Sequence, residues 1–276
     1  MLNPYLAVVL ATIIWGSTGI FIKYLNLPPT TIAFFRMVIP AFILFIYFKI
    51  KKVNLFRDSV KLILLVSSIG VVDMLFYFIA YTKTSIANSL ITLYTWPIFA
   101  TIFSAIFLRE KLGVRNIFLL IVSFIGVILV YLGNSLSLTN KDFVGITSML
   151  VSAALFAVMI IIFKKLSITH SNFEIIFYHN MIGAVVFLPF LFINRPLPTI
   201  TQSGVAVVYA LLIGFLAYIP YFFGLKYIKT SSISLLSYLE VVSGILFGII
   251  LLHETLMPNT IIGGVLIVGS TLLIKR

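Results

Sequence analysis

The chain has 276 residues, 62% of them hydrophobic and 9% charged, with a mean hydropathy of +1.21. That much apolar surface excludes a soluble domain, and the lack of cysteine excludes disulfides, thiolate metal sites and cysteine catalysis. The net charge of +12 is spread over short loops rather than one soluble face, which argues against a nucleic-acid partner.

In chain order, ten apolar stretches succeed one another, each of roughly 18–22 residues, the length that crosses a bilayer core as a helix. They are placed at 5–24, 30–48, 62–82, 86–108, 113–133, 143–163, 173–193, 204–224, 232–252 and 257–274. No basic segment precedes Tyr5 and no A-x-A site follows the first stretch, so that stretch is expected to be a retained helix. Pro28-Pro29 turns the chain between the first two spans. Asn134 to Asp142 is the longest polar break near the middle, and Asn194-Arg195-Pro196-Leu197-Pro198 closes the seventh span.

The even-numbered loops and the tail carry Lys49, Lys51, Lys52, Arg57, Lys61, Arg109, Lys111, Arg115, Lys164, Lys165, Lys226, Lys229, Lys275 and Arg276. The odd-numbered loops carry Lys23, Lys83, Lys141 and Arg195, a ratio of 14 to 4, and Arg36 lies inside a span. The positive-inside rule then predicts that both termini are cytoplasmic, in a bacterial-type inner (plasma) membrane.

The halves resemble each other. Phe107-Leu108-Arg109-Glu110-Lys111-Leu112 ends the fourth span, and Leu251-Leu252-His253-Glu254-Thr255-Leu256 ends the ninth. Lys83-Thr84-Ser85 before the fourth span matches Lys229-Thr230-Ser231 before the ninth, and Trp15 with Lys23 matches Phe156 with Lys164. Five helices is an odd number, so the second half must be inverted relative to the first. The expected fold is an all-α integral membrane protein of ten transmembrane helices, in two inverted five-helix repeats over residues 1–138 and 139–276. Inverted repeats recur among secondary transporters, with the site near the midplane.

The set Trp15-Gly16-Ser17, Arg36, Pro97 and the paired L-R-E-K-L and L-H-E-T-L segments resembles the drug/metabolite transporter superfamily, specifically its EamA-like ten-helix members. The resemblance covers the whole chain. It implies secondary transport of small metabolites, often amino acids or their derivatives, by alternating access. One departure stands out. Members often have proline after the acid in the middle of the ninth helix, whereas Glu240 is followed here by Val241, which predicts a straighter helix.

Asp73 and Glu240 fall mid-span, where insertion of an ionised residue costs about 2.5–3.5 kcal/mol. Gly70, Asp73, Tyr77 and Tyr81 form one helical stripe, and Ser237, Glu240, Gly244 and Gly248 another, so both acids are expected to point inward. Asp73 could form a structural pair with Arg36, accept from a tyrosine or serine, or bind a substrate ammonium or a coupling proton. Arg36 could instead grip a carboxylate. His179 is either a satisfied polar residue or a proton relay. Asp73, His179 and Glu240 are the proton-coupling candidates. Lys23 and Lys164 are expected to snorkel, and Glu110 and Glu254 to cap or anchor loops.

Trp15 and Trp96 are both placed near the midplane rather than at an interface, where tryptophan is usual. With Tyr77, Tyr81, Tyr94, Tyr218, Tyr221 and Tyr238 they are expected to line an aromatic cavity. The candidate substrate residues are thus Trp15, Arg36, Asp73, Tyr77, Tyr81, Trp96 and Glu240. Small residues at Ser123, Gly126, Gly133, Gly263, Gly264, Gly269 and Ser270 suggest a tight scaffold or a dimer face.

No HExxH, GxSxG, Walker or Rossmann pattern occurs, so no enzyme, cofactor or metal is expected. The expected partners are a small-molecule substrate, protons and the lipid bilayer, with the chain a monomer or homodimer. The cargo expected from the residues is an amino acid or a cationic amine-bearing metabolite. A lipid or lipid-precursor flippase stays open as an alternative. So does an importer of a nucleoside-type metabolite, since some members of the family that it resembles import S-adenosylmethionine.

Overall fold

The structure, a computed structural model, describes residues 3–52, 60–107, 113–132, 140–166, 171–194, 196–227 and 230–273. Among them every regular element is helical. Helix α1 runs as Pro4–Gly16 and Thr18–Leu25, α2 is Pro29–Ile50, α3 Val60–Lys83, and α4 runs as Ile86–Leu93 and Trp96–Phe107. Helix α5 is Val114–Tyr131, α6 Lys141–Leu166 and α7 Asn172–Ile193. Helix α8 runs as Ile200–Leu211, a π turn at Leu212–Leu216 and Tyr218–Tyr227; α9 is Thr230–Leu252 and α10 Pro258–Leu273. Seven stretches are long and apolar enough to cross a membrane; the apolar stretches Ile117–Val130, Leu239–Leu252 and Pro258–Ser270 are shorter.

Local chemistry sets the helix ends. Asn3 accepts from the Tyr5 N–H at 2.9 Å, with Pro4 at the first helical position. Ser171 with Glu174, and Thr199 with Gln202, form capping boxes at α7 and α8. Asn26 ends α1 in the left-handed region at φ 46°, a conformation that asparagine tolerates.

The helices pack as α3 on α6 and α7, α5 on α10, α2 on α7 and α8, α1 on α8 and α9, and α4 on α6. Large apolar side chains such as Phe42, Val185 and Ile250 remain more than half exposed on the outside. That surface would be an aggregation liability in water and suits acyl chains.

Glycine sets two of the closest crossings. A methyl on Gly126 would lie 2.8 Å from the Gly263 carbonyl oxygen, and one on Gly263 would lie 2.6 Å from that of Gly126. The small residues of α5 and α10 therefore face each other within the chain. Similarly, Gly16 of α1 meets the Glu240 carbonyl and Gly244 of α9.

Replacing Gly126 by alanine is expected to cost about 1–3 kcal/mol of stability through backbone overpacking. The check is the thermal unfolding midpoint in detergent. Gly269→Ala, whose methyl would meet nothing within 4 Å, should leave that midpoint unchanged.

Candidate functional site

The site is organised by a fault in α8. Pro220 has no N–H for the carbonyl four residues earlier, and its ring crowds that turn. Just before it the helix widens into the π turn, and the Ala217 N–H donates to the Leu212 carbonyl at 2.8 Å. In an α-helix that N–H would serve the Ile213 carbonyl. The freed Ile213 oxygen accepts instead from the Trp15 indole N–H at 3.3 Å and from Arg36 Nη2 at 3.5 Å. Trp15 is held edge-on by Tyr218, with centroids 5.2 Å apart, and by Tyr221 at 4.9 Å. A methyl on Gly214 would lie 2.8 Å from Arg36 Nη1, so glycine is what lets the guanidinium lie along α8. The Tyr209 phenol lies against the same guanidinium.

Across α1, the Gly16 crossing brings Glu240 of α9 beside Trp15. Tyr94 donates to the Ser237 carbonyl and to Glu240 Oε2, the latter at 3.1 Å. It can reach there because α4 breaks at Tyr94-Thr95, immediately before Trp96-Pro97. Helix α9, with Val241 after its acid, is unbroken through Glu240, as the sequence predicts. The Tyr77 and Tyr81 rings meet at a tilt, with centroids 4.9 Å apart, and lie within electrostatic reach of Glu240 and Tyr209. Trp15, Tyr77 and Glu240 are partly exposed, and Trp15 and Tyr77 pack against the main core.

Asp73 is not paired with Arg36. Its Oδ1 accepts from the Ser152 hydroxyl of α6 at 2.6 Å, and it is 7% exposed. His179 of α7 lies on the bare backbone at Gly70, one turn from Asp73; its ring is hydrogen-bonded to the Ser67 backbone, while its Nδ1 has no hydrogen-bond partner. Trp96 is not beside Trp15. It packs edge-on against Phe156 at 5.5 Å, one turn from Ser152, on the α6 side of α4. Tyr238's side chain, Glu110 and Gly133 lie outside the described residues.

A second polar cluster closes the end of the bundle opposite Lys49–Lys52. Lys23 does not snorkel: its Nζ donates to the Thr84 carbonyl at 2.6 Å. Thr84 donates to Asp142 Oδ1 at 2.6 Å, Asn88 donates to Thr84 Oγ1, and Thr260 donates to Asn88 Oδ1. Glu254 accepts the Ile86 N–H at 2.9 Å and so caps α4. Burial pushes its carboxyl above the usual glutamate range, against the pull of that N–H and of Lys23.

The model of the EamA-like transporter family matches residues 2–132 and again residues 143–276. The chain belongs to that family. This EamA-like protein is 27% identical to an uncharacterized transporter, YoaV, of Bacillus subtilis, over 97% of this chain and 94% of that one. It is 26% identical to a pseudopaline exporter, CntI, of Pseudomonas aeruginosa (strain UCBPP-PA14), over 91% of this chain and 87% of the exporter. A solved crystal structure, 17% identical, matches 97% of this chain with a TM-score of 0.63 and supports the fold alone. Apolar helices and transporter relatives together make this EamA-like chain a multi-pass membrane protein.

Reading the sequence of this EamA-like protein missed Tyr209, Ser152 and the Ile213 carbonyl. Tyr209 is hidden among ordinary aromatics, and a carbonyl has no sequence signal except Pro220 seven residues on. Gly214→Ala is expected to push the guanidinium off α8. In a transport assay KM should rise several-fold, with membrane expression unchanged.

Proposed function

We propose that the protein is a secondary transporter that moves a zwitterionic small metabolite, an amino acid or an amine-bearing derivative, across the inner membrane by alternating access. Uncompensated charge carries this reading. Arg36 is 8% exposed and pairs with no carboxylate among the described residues, while Asp73 and Glu240 pair with no cation there. Each ionised group left so costs about 2.5–3.5 kcal/mol at mid-bilayer. A zwitterion offsets two of them at once, with its carboxylate on Arg36 and its ammonium on Glu240. Trp15, Tyr77 and Tyr81 bound the space between them, and Trp96 stands behind it on the α6 side of α4. Asp73 and His179, on the other side of α3, carry the coupling proton.

Two further observations support two inverted repeats over residues 1–138 and 139–276; the cytoplasmic termini of this reading rest on the loop charges alone. The family model matches twice, on either side of the break near residue 138. The most extensive helix pairings also map onto one another when each helix is exchanged for the one five places on. Under that exchange α3–α6 becomes α8–α1, α1–α9 becomes α6–α4, α3–α7 becomes α8–α2, and α2–α7 and α5–α10 are unchanged. The relative named as an exporter favours export.

The test is uptake into proteoliposomes of amino acids, simple amines, simple carboxylates and S-adenosylmethionine, with and without a pH gradient. Zwitterions should be favoured over either half-charged analogue. Arg36→Lys and Glu240→Gln should each lower kcat/KM at least about tenfold, because a lysine point charge does not replace the guanidinium fork. Asp73→Asn should abolish the response to the gradient while sparing counterflow. Wild-type transport in both Arg36→Lys and Glu240→Gln would sink the proposal.

A further inference from the structure

The transporter reading leaves unused the polar cluster at the end of the bundle opposite the basic loops, which is the outer end in the proposed topology. It joins five helices that otherwise meet there through apolar side chains. Lys23 stands on α1, Thr84 follows α3, Asn88 is on α4, Asp142 opens α6, and Glu254 and Thr260 flank the start of α10. Lys23 Nζ is half-buried, bonded to the Thr84 carbonyl, and within electrostatic reach of Glu254 and Asp142. A polar recess lies against the same residues, lined by Ser85, Asn88, Asp142, Thr255 and Thr260.

Beneath the cluster is a dry layer. Ile22, Leu25, Tyr81, Leu90 and Tyr209 are at most 1% exposed. One turn deeper the accessibility returns: Tyr77 is partly exposed where Tyr81 is not, and so are Trp15 and Glu240. The surface left on Trp15, Tyr77 and Glu240 is thus separated by this layer from the end on which the cluster sits. The seal is made of hydrogen bonds and one cation among carboxylates, contacts that water can replace when they separate, above apolar side chains that repack. In sequence, Lys164 and Thr230 of the second repeat match Lys23 and Thr84 of the first, and Glu110 of the first matches Glu254 of the second. An inverted pair of gates needs that recurrence.

We propose that Lys23, Thr84, Asp142 and Glu254 form the outer gate of the transport cycle, closed in this conformation and parted once per turnover. The proposal rests on the alternating-access reading, and the chain's lack of cysteine makes it directly testable. Thr84 Oγ1 and Asp142 Oδ1 are 2.6 Å apart, so a Thr84→Cys, Asp142→Cys double variant places two thiols in reach. Oxidation with diamide should form the disulfide in the resting protein. It should also cut transport in proteoliposomes at least tenfold, with recovery in reductant. Locked protein that transports at the reduced rate would overturn the gate.

A second measurement needs no substrate and survives a double variant that folds poorly. Ser89, one turn inside the cluster and fully buried, is replaced by cysteine in an otherwise unchanged chain. Its reaction with a membrane-impermeant maleimide, applied from outside, is timed. Adding Lys23→Ala or Glu254→Gln should speed labelling at least fivefold, and Lys23→Arg should leave it near the parent rate. Equal labelling in all four proteins would sink the gate even if the substrate panel supports a zwitterion carrier. Faster labelling with no zwitterion transported would keep the gate and remove the cargo assignment.

Discussion

One carbonyl oxygen organises the middle of this protein. A bilayer core offers no water to an exposed peptide group, so every break in a helical ladder must be answered from within the protein. The π turn before Pro220 takes the Ala217 N–H away from Ile213, and the orphaned oxygen is answered by an indole and a guanidinium from two other helices. Arg36 and Trp15 are therefore fixed by a defect in α8 rather than by each other. Such π insertions recur at functional sites because they give backbone polarity to side chains without unfolding the helix.

From that anchor the rest of the chamber follows in short steps. Gly214 clears the path of the guanidinium, and Gly16 lets α9 come close enough to set Glu240 next to Trp15. The break in α4 turns Tyr94 towards Glu240, and the tilted Tyr77–Tyr81 pair lies within electrostatic reach of both Glu240 and Tyr209. The charged groups are held apart by aromatic rings and satisfied by neutral partners. A direct Arg36–Asp73 pair would instead have tied both charges to each other.

Much of this was legible in the residues. Hydropathy and proline punctuation locate the described helices to within a few residues at most ends, since a 30 Å apolar slab leaves little freedom in helix length. The stripe Ser237–Glu240–Gly244 was readable as inward, and Gly244 does meet Gly16. What was not legible depends on partners far away in sequence. Ser152 reaches Asp73 across 79 residues, Lys23 reaches Thr84 across 61, and Trp15 reaches Ile213 across 198. Periodicity gives the face of a helix and not which helix it meets. Trp15 and Trp96 therefore read as one pair and fold into two places.

The two repeats also differ where their chemistry differs. Helix α4 has Trp96-Pro97 after its break, and its matching place in α9 holds Glu240-Val241 in an unbroken helix. A proline-marked break can change angle cheaply, because the hydrogen bonds it would sever are already missing. An intact helix resists bending and carries its side chains as a rigid unit. The acid thus stands on the stiffer member and its tyrosine partner on the hinged one. Any rotation of α4's inner segment against its outer segment must stretch the Tyr94–Glu240 bond, while the Gly16–Gly244 crossing keeps α9 fixed to α1.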